Sequence, residues 1–166
     1  MSLLKAFRAG FVRRWHTNPD LAHTNDRIDA HSGRVARIIL MMHPDPSVAL
    51  LRAALIHDDG ESVVGDIPAI FKNSMGKTDR ASFEAYEDDA VCSIWPKATP
   101  AIADTEIRWL KFADRLDAYM WASHHAAHIM DGDGWPDAWA WLELQSNILN
   151  CVSGFRDAVR DVRRAA

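Results

Sequence analysis

Polar residues stand at positions where helical hydrophobic stripes call for core side chains: His31, the pair His57-Asp58, and Asp114. Two imidazoles and two carboxylates form a mixed nitrogen and oxygen donor set with no thiolate. Such a set suits one divalent transition ion with open positions, such as Mn²⁺, Co²⁺, Ni²⁺, Fe²⁺ or Zn²⁺. Four protein ligands on an octahedral ion leave room for a water and a phosphate oxygen. Metal-assisted hydrolysis needs that combination of an activated water and a Lewis acid on the phosphoryl group.

Each residue taken alone also has a structural reading. His31 can cap a helix or sit satisfied in a core, Asp58 can end a helix or join a salt bridge, and Asp114 can pair with Arg115 or Arg108. The combination carries the metal reading: a histidine, a His-Asp pair 26 positions later, then an aspartate on a third long helix. His124, His125 and His128 raise the question of a second metal, since His124 and His128 share a helix face. They come about two and a half turns beyond Asp114, too far along the helix to be expected on its ion.

The elements that would position these groups are helices. Leu3, Leu4, Phe7 and Phe11 predict a short amphipathic helix over 2–15. His31 opens an apolar helix expected from Ala30 to Met42 and closed by His43-Pro44-Asp45-Pro46. Ser47 is the expected N-cap of a helix from Val48 to Asp58. That helix is apolar nearly all round, so it is expected to be central and buried, and a carboxylate at its end then wants a cation, a hydrogen-bond network or a metal. Residues 61–80 read as loop with short helical turns. A helix from Ser82 to Trp95 follows, and Thr99 caps a long one from Pro100 to Met130 with Asp114 on its inward stripe. Asp131-Gly-Asp-Gly-Trp-Pro136 is a turn, and a last helix is expected from Asp137 to Arg163. With no sustained period-2 run of β-branched residues, the expected fold is all-α.

The chain of 166 residues suits one domain spanning residues 1–166, and 48% apolar with 25% charged residues is ordinary for a soluble globular protein. A net charge of −4 without a long basic run argues against a nucleic-acid polymer as partner. The N-terminal segment makes a poor signal peptide, and no stretch approaches the roughly 20 apolar residues of a membrane span. Cys92 and Cys151 stand in no paired spacing, which argues against a disulfide framework or a zinc-thiolate site and fits a reducing compartment. The expectation is a cytoplasmic protein with no membrane partner.

At this point the ordered residues resemble a family. His31, His57-Asp58 and Asp114 match the H…HD…D pattern of the HD-domain metal-dependent phosphohydrolases. His57-Asp-Asp-Gly-Glu61-Ser-Val-Val-Gly65-Asp66-Ile-Pro68 resembles the H-D-x-x-E-x-x-x-G-D-[LIV]-P stretch of bacterial 5′-deoxynucleotidases. Lys111-Phe-Ala-Asp114-Arg-Leu-Asp-Ala-Tyr119 resembles their segment around the last metal ligand. Arg14-Trp15-His16-Thr17 is similar to the start of these enzymes and of small phage dATP triphosphohydrolases. The likeness spans about residues 13–121.

The resemblance implies a single HD-domain helical bundle of about six helices, with His31, His57, Asp58 and Asp114 holding one divalent metal. It implies that Glu61 is catalytic, acting on the attacking water or the leaving oxygen. By the same likeness Arg14 binds phosphate, Trp15 packs against sugar or base, and Asp66 accepts a hydrogen bond from the sugar 3′-hydroxyl. Gly65 would let that loop approach the ligand closely. The implied reaction releases a deoxynucleoside from a deoxynucleotide by hydrolysis at the 5′ phosphate ester, with either a monophosphate or a triphosphate as substrate. Two alternatives stay open: an HD enzyme on another phosphoester, such as a cyclic nucleotide or guanosine tetraphosphate, and a non-catalytic metal-stabilised binding module. The resemblance also leaves a homodimer or higher homo-oligomer open.

Overall fold

A computed structural model describes residues 2–96, 102–132 and 134–165. Among the described residues the regular structure is helical, with one isolated antiparallel bridge between Arg13 and Arg27. The helices are α1 (Leu3–Ala9), α2 (Ile28–Met42), α3 (Val48–Ile56), α4 (Glu61–Val64), α5 (Ala69–Ser74), α6 (Lys77–Ile94), α7 (Asp104–His125), α8 (Trp135–Ile148) and α9 (Val152–Ala165), with a 3₁₀ turn at Ala127–Ile129. The all-α expectation holds. Among these residues no helix is long and apolar enough to cross a membrane. The chain divides into two compact units, Met1–Gly33 with Arg52–Ala101, and Arg34–Leu51 with Ile102–Ala166.

In the first unit α1 stops at Ala9 instead of running to Trp15. The cause is the use made of the next residues. The amides of Ile28 and Asp29 donate to the carbonyls of Val12 (3.0 Å) and Gly10 (3.2 Å). Those bonds satisfy N–H groups at the start of α2 that no helix can satisfy internally. The approach is close enough to need a glycine, since a Cβ on Gly10 would stand 2.8 Å from Asp29 Cβ. His31 therefore enters α2 from a tied-down start, beside the fully buried Ile28.

The expectation that α3 is buried all round is corrected. Ala53, Ala54 and Ile56 are buried, whereas Val48 and Leu55 are exposed. Past α3 the chain presses onto α6: a Cβ on Gly60 would lie 2.6 Å from the Glu87 carbonyl oxygen. Trp95 Nε1 donates to Asp59 Oδ2 (2.6 Å), fastening the end of α6 to the same turn. Gly65 closes α4 with φ of 82°, and a Cβ there would meet nothing within 4 Å. That positive φ is one glycine adopts without steric cost. The 61–80 stretch holds α4 and α5 as short helical turns, but α6 already begins at Lys77 and not at Ser82. Lys72 of α5 reaches α6 through both Glu87 oxygens (2.9 and 3.1 Å).

The second unit is built around α7, which buries Trp109, Phe112, Ala113, Leu116, Asp117, Tyr119, Ala122 and Ser123. The rings of α7, α8 and α9 interlock: Phe112 meets Phe155 edge-on at 6.1 Å, Trp139 lies 4.9 Å from Phe155, and Tyr119 lies 5.7 Å from Trp139. Ser47 caps α3 as expected, its Oγ accepting the Leu50 amide (3.0 Å). The expected cap and start of the long helix, Thr99 and Pro100, lie outside the described residues. Within them α7 runs from Asp104 and ends at His125 instead of Met130.

The single last helix expected from Asp137 to Arg163 is two helices. Asn150 has φ of 56°, the Cys151 amide donates to the Ser146 carbonyl (2.8 Å), and the Asn150 amide donates to the Asn147 carbonyl (3.2 Å). This is a Schellman closure with asparagine in the left-handed position that glycine more often fills. It ends α8 and lets α9 turn back along α7 with Phe155 and Val159 buried.

Candidate metal centre

His31 and His57 come from two different helical ends of the first unit, and Asp58 follows His57 directly. His31 is fully buried, and its Nε2 lies 3.2 Å from Asp58 Oδ2. His57 Nε2 lies 3.3 Å from Asp58 Oδ1, so the carboxylate presents one oxygen to each ring. The ring centroids are 5.3 Å apart. Asp114 is half-buried on α7. The ligand atoms of His31, His57, Asp58 and Asp114 all lie within 4.8 Å of one another, a group that could hold a metal ion.

Tautomer chemistry supports that fit at His57. Its Nδ1 lies 3.0 Å from the Ala54 carbonyl oxygen, which can only accept, so Nδ1 carries the proton. In the neutral ring the Nε2 lone pair then points at a carboxylate oxygen. A shared cation reconciles those two electron pairs, and a backbone carbonyl behind the ring is the usual support of a histidine ligand.

Glu61 sits in the first turn of α4, and its amide donates to the Asp58 carbonyl (2.9 Å). Its side chain is buried, and among the described residues Oε2 has no hydrogen-bond partner. Burial, reinforced by the negative charges of Asp58 and Asp66, pushes its pKa from 4.5 up to about 10, against the smaller pull of Arg14 and Lys72. In the metal-free protein this carboxyl therefore holds its proton at neutral pH. The adjoining Asp59 is also raised by burial, partly offset by the Trp95 hydrogen bond.

The Arg14-Trp15 segment is brought to the same region. Arg14 Nη1 lies 2.6 Å from His31 Nδ1 and 3.6 Å from Asp26 Oδ2. Trp15 has φ of 65°, a conformation costing a non-glycine residue about 1–2 kcal/mol. Two carboxylates hold it there: its amide donates to Asp66 Oδ2 (2.8 Å), and its Nε1 donates to Asp26 Oδ2 (3.2 Å). Asp66 thus has a positioning duty, fixing the turn that carries Arg14. His16 Nδ1 also lies 4.0 Å from Asp66 Oδ2.

Two buried polar features were not assigned from sequence. Asp26 is fully buried and serves both Arg14 and Trp15, yet nothing in the polar stretch 16–29 marks it out. Arg34 forms a two-pronged pair with buried Asp117, Nε to Oδ1 at 2.6 Å and Nη2 to Oδ2 at 3.0 Å. The signal for Asp117 was present, an acidic residue beside Leu116 on the inward stripe three positions after Asp114. His124, His125 and His128 form no further ligand group among the described residues. His125 instead lies against Trp121, with ring centroids 4.2 Å apart.

Comparison with protein-family models, with curated proteins and with solved structures finds no match for this chain.

Proposed function

We propose that this chain is a metal-dependent phosphohydrolase that cleaves a deoxynucleotide at its 5′ phosphate ester and releases the deoxynucleoside. The observation that carries the reading is the group of His31, His57, Asp58 and Asp114 with ligand atoms within 4.8 Å. The order of motifs around it, from Arg14-Trp15 through Gly65-Asp66-Ile-Pro68, directs the reading toward deoxynucleotides. The donor set of two imidazoles and two carboxylates suits Co²⁺, Mn²⁺, Zn²⁺, Ni²⁺ or Fe²⁺.

A divalent ion bound there supplies a Lewis acid and a water of lowered pKa. His57 needs no rearrangement to serve as ligand, because its Nδ1 proton is already committed to the Ala54 carbonyl. Glu61 is buried in the turn that follows His57-Asp58, which suits its carboxyl to work on the attacking water or on the leaving 5′ oxygen. The guanidinium of Arg14 supplies positive charge for phosphate oxygens. Asp66 keeps the Arg14-Trp15 turn in place, and by the motif resemblance it would accept a hydrogen bond from the sugar 3′-hydroxyl.

The test is a panel of dNMPs and dNTPs with purified protein, supplied in turn with Mn²⁺, Co²⁺ and Zn²⁺, with phosphate and triphosphate separated as products. Phosphate from monophosphates defines a 5′-deoxynucleotidase, and triphosphate from a dNTP defines a triphosphohydrolase. Turnover that survives unchanged in Glu61→Gln contradicts the role given to Glu61. No turnover with any metal contradicts the hydrolase reading and favours a metal-stabilised binding module.

A further inference from the structure

The two histidines of the candidate centre differ in a way that has consequences for metal loading. At His57 a carbonyl sits behind Nδ1, so the ring presents a lone pair at Nε2. At His31 the group behind Nδ1 is the Arg14 guanidinium, 2.6 Å away. A guanidinium has donors only and stays protonated at any working pH. His31 Nδ1 must therefore accept, and the proton of the neutral ring is on Nε2. That is the nitrogen facing Asp58 Oδ2 at 3.2 Å.

A metal ion bound through Nε2 needs the lone pair there and sends the ring proton to Nδ1. Nδ1–H and the Arg14 N–H would then be two donors pointed at each other across 2.6 Å. Both arrangements cannot exist together.

We infer that Arg14 is a latch on the metal centre: its hydrogen bond to His31 Nδ1 holds the ring in the tautomer that cannot ligate, and metal binding requires Arg14 to leave. The inference rests on the metal reading above and adds to it a residue that sets how tightly the ion is held. Arg14 has somewhere to go. Asp26 Oδ2 is 3.6 Å away and buried, and the guanidinium already lies 5.2 Å from the centre of the Trp15 ring. Asp26, which already pairs with Arg14, anchors the guanidinium when the imidazole contact is given up. The N–H released from His31 can then meet an anionic ligand of the centre, so metal and anion assist each other's binding through one side chain.

The test reads the tautomer directly and the affinity separately, using Zn²⁺ because it is diamagnetic. Long-range ¹H–¹⁵N spectra of histidine-labelled, metal-free wild type should show His31 protonated at Nε2 and bare at Nδ1, with the signal assigned by its loss in His31→Gln. Saturating Zn²⁺ should move the proton to Nδ1. Arg14→Met removes the donor and should tighten Zn²⁺ binding about 10- to 100-fold, the equivalent of one charge-assisted hydrogen bond. Arg13→Met removes the same charge from the exposed neighbouring residue and should change the affinity by less than about threefold, because water and salt screen it.

A metal-free wild type with His31 protonated at Nδ1 overturns the latch while leaving the metal centre intact. So does an Arg14→Met affinity within threefold of wild type, or an equal gain in Arg13→Met. Absence of Zn²⁺ binding in both wild type and Arg14→Met overturns the metal reading, and the latch with it. The tautomer measurement needs only the wild-type protein, so it stands whether or not a variant folds.

Discussion

Replacing Arg34 with methionine isolates one buried charge on the helix that carries Asp114. Asp117 has a side chain only 4% exposed, and Arg34 covers it with two short hydrogen bonds while keeping 26% exposure of its own. Arg34→Met keeps most of the aliphatic stem and removes both donors, leaving a carboxylate in a site that water scarcely reaches. Breaking one side of a buried pair costs about 3–5 kcal/mol, and the partial exposure of Arg34 argues for the lower end, about 3 kcal/mol. The guanidinium also lies 4.4 Å from the centre of the Trp121 ring, and losing that contact adds roughly 0.5–1 kcal/mol. For a chain of this size each kcal/mol lowers Tm by about 2–4 °C, so a fall of roughly 7–16 °C is expected by calorimetry. Arg34→Met/Asp117→Leu removes both charges and should recover at least half of the loss in a double-mutant cycle. A single variant within about 0.5 kcal/mol of wild type, or a double variant no more stable than the single, refutes the reasoning.

Other expectations follow from particular contacts. Gly60→Ala forces a Cβ to 2.6 Å from the Glu87 carbonyl oxygen, a backbone atom that cannot step aside, and should cost about 1–3 kcal/mol in urea unfolding; a neutral effect contradicts the close packing of this turn on α6. Glu61 gives the metal-free protein a pH dependence with a defined sign. Its pKa is raised from 4.5 to about 10, so its contribution is fully present below about pH 4.5 and is lost as pH climbs toward 10. Unfolding curves from pH 5 to 9 should show metal-free wild type losing stability relative to Glu61→Gln, and parallel curves contradict the buried, protonated carboxyl. Burial pushes the Cys151 thiol up to about 11, whereas Cys92 is exposed. Iodoacetamide at about pH 8 should therefore label Cys92 and spare Cys151, as read by peptide mass spectrometry.

The ligand group was legible in the sequence because each member broke a local rule. His31, Asp58 and Asp114 are polar residues on helical positions that their apolar neighbours assign to the interior, and such breaks are visible in a window of a few turns. The Ser47 cap was legible for a similar reason, being a local hydrogen bond with a fixed offset. What stayed hidden depends on residues far apart in the chain. Arg34 and Asp117 are 83 positions apart, and neither segment alone says that they meet. Trp95 and Asp59 are joined across 36 positions in the same way. The break between α8 and α9 turns on one left-handed asparagine inside a strongly helical pattern, so the helix signal on both sides concealed it. The positive backbone angle of Gly65 was hidden too, because it depends on how α4 ends. The Arg14 contact with His31 Nδ1 could not be read at all, since it comes from the fold of the turn between α1 and α2.

The central claim is that His31, His57, Asp58 and Asp114 hold one metal ion. Titration of chelator-treated protein with Mn²⁺ or Co²⁺ in a calorimeter tests it most directly, with wild type and Asp114→Ala measured side by side and folding checked by circular dichroism. The account predicts one ion per wild-type chain and a loss of at least tenfold in affinity in the folded variant. No binding by wild type, or binding in which Asp114→Ala is indistinguishable from it, contradicts the account.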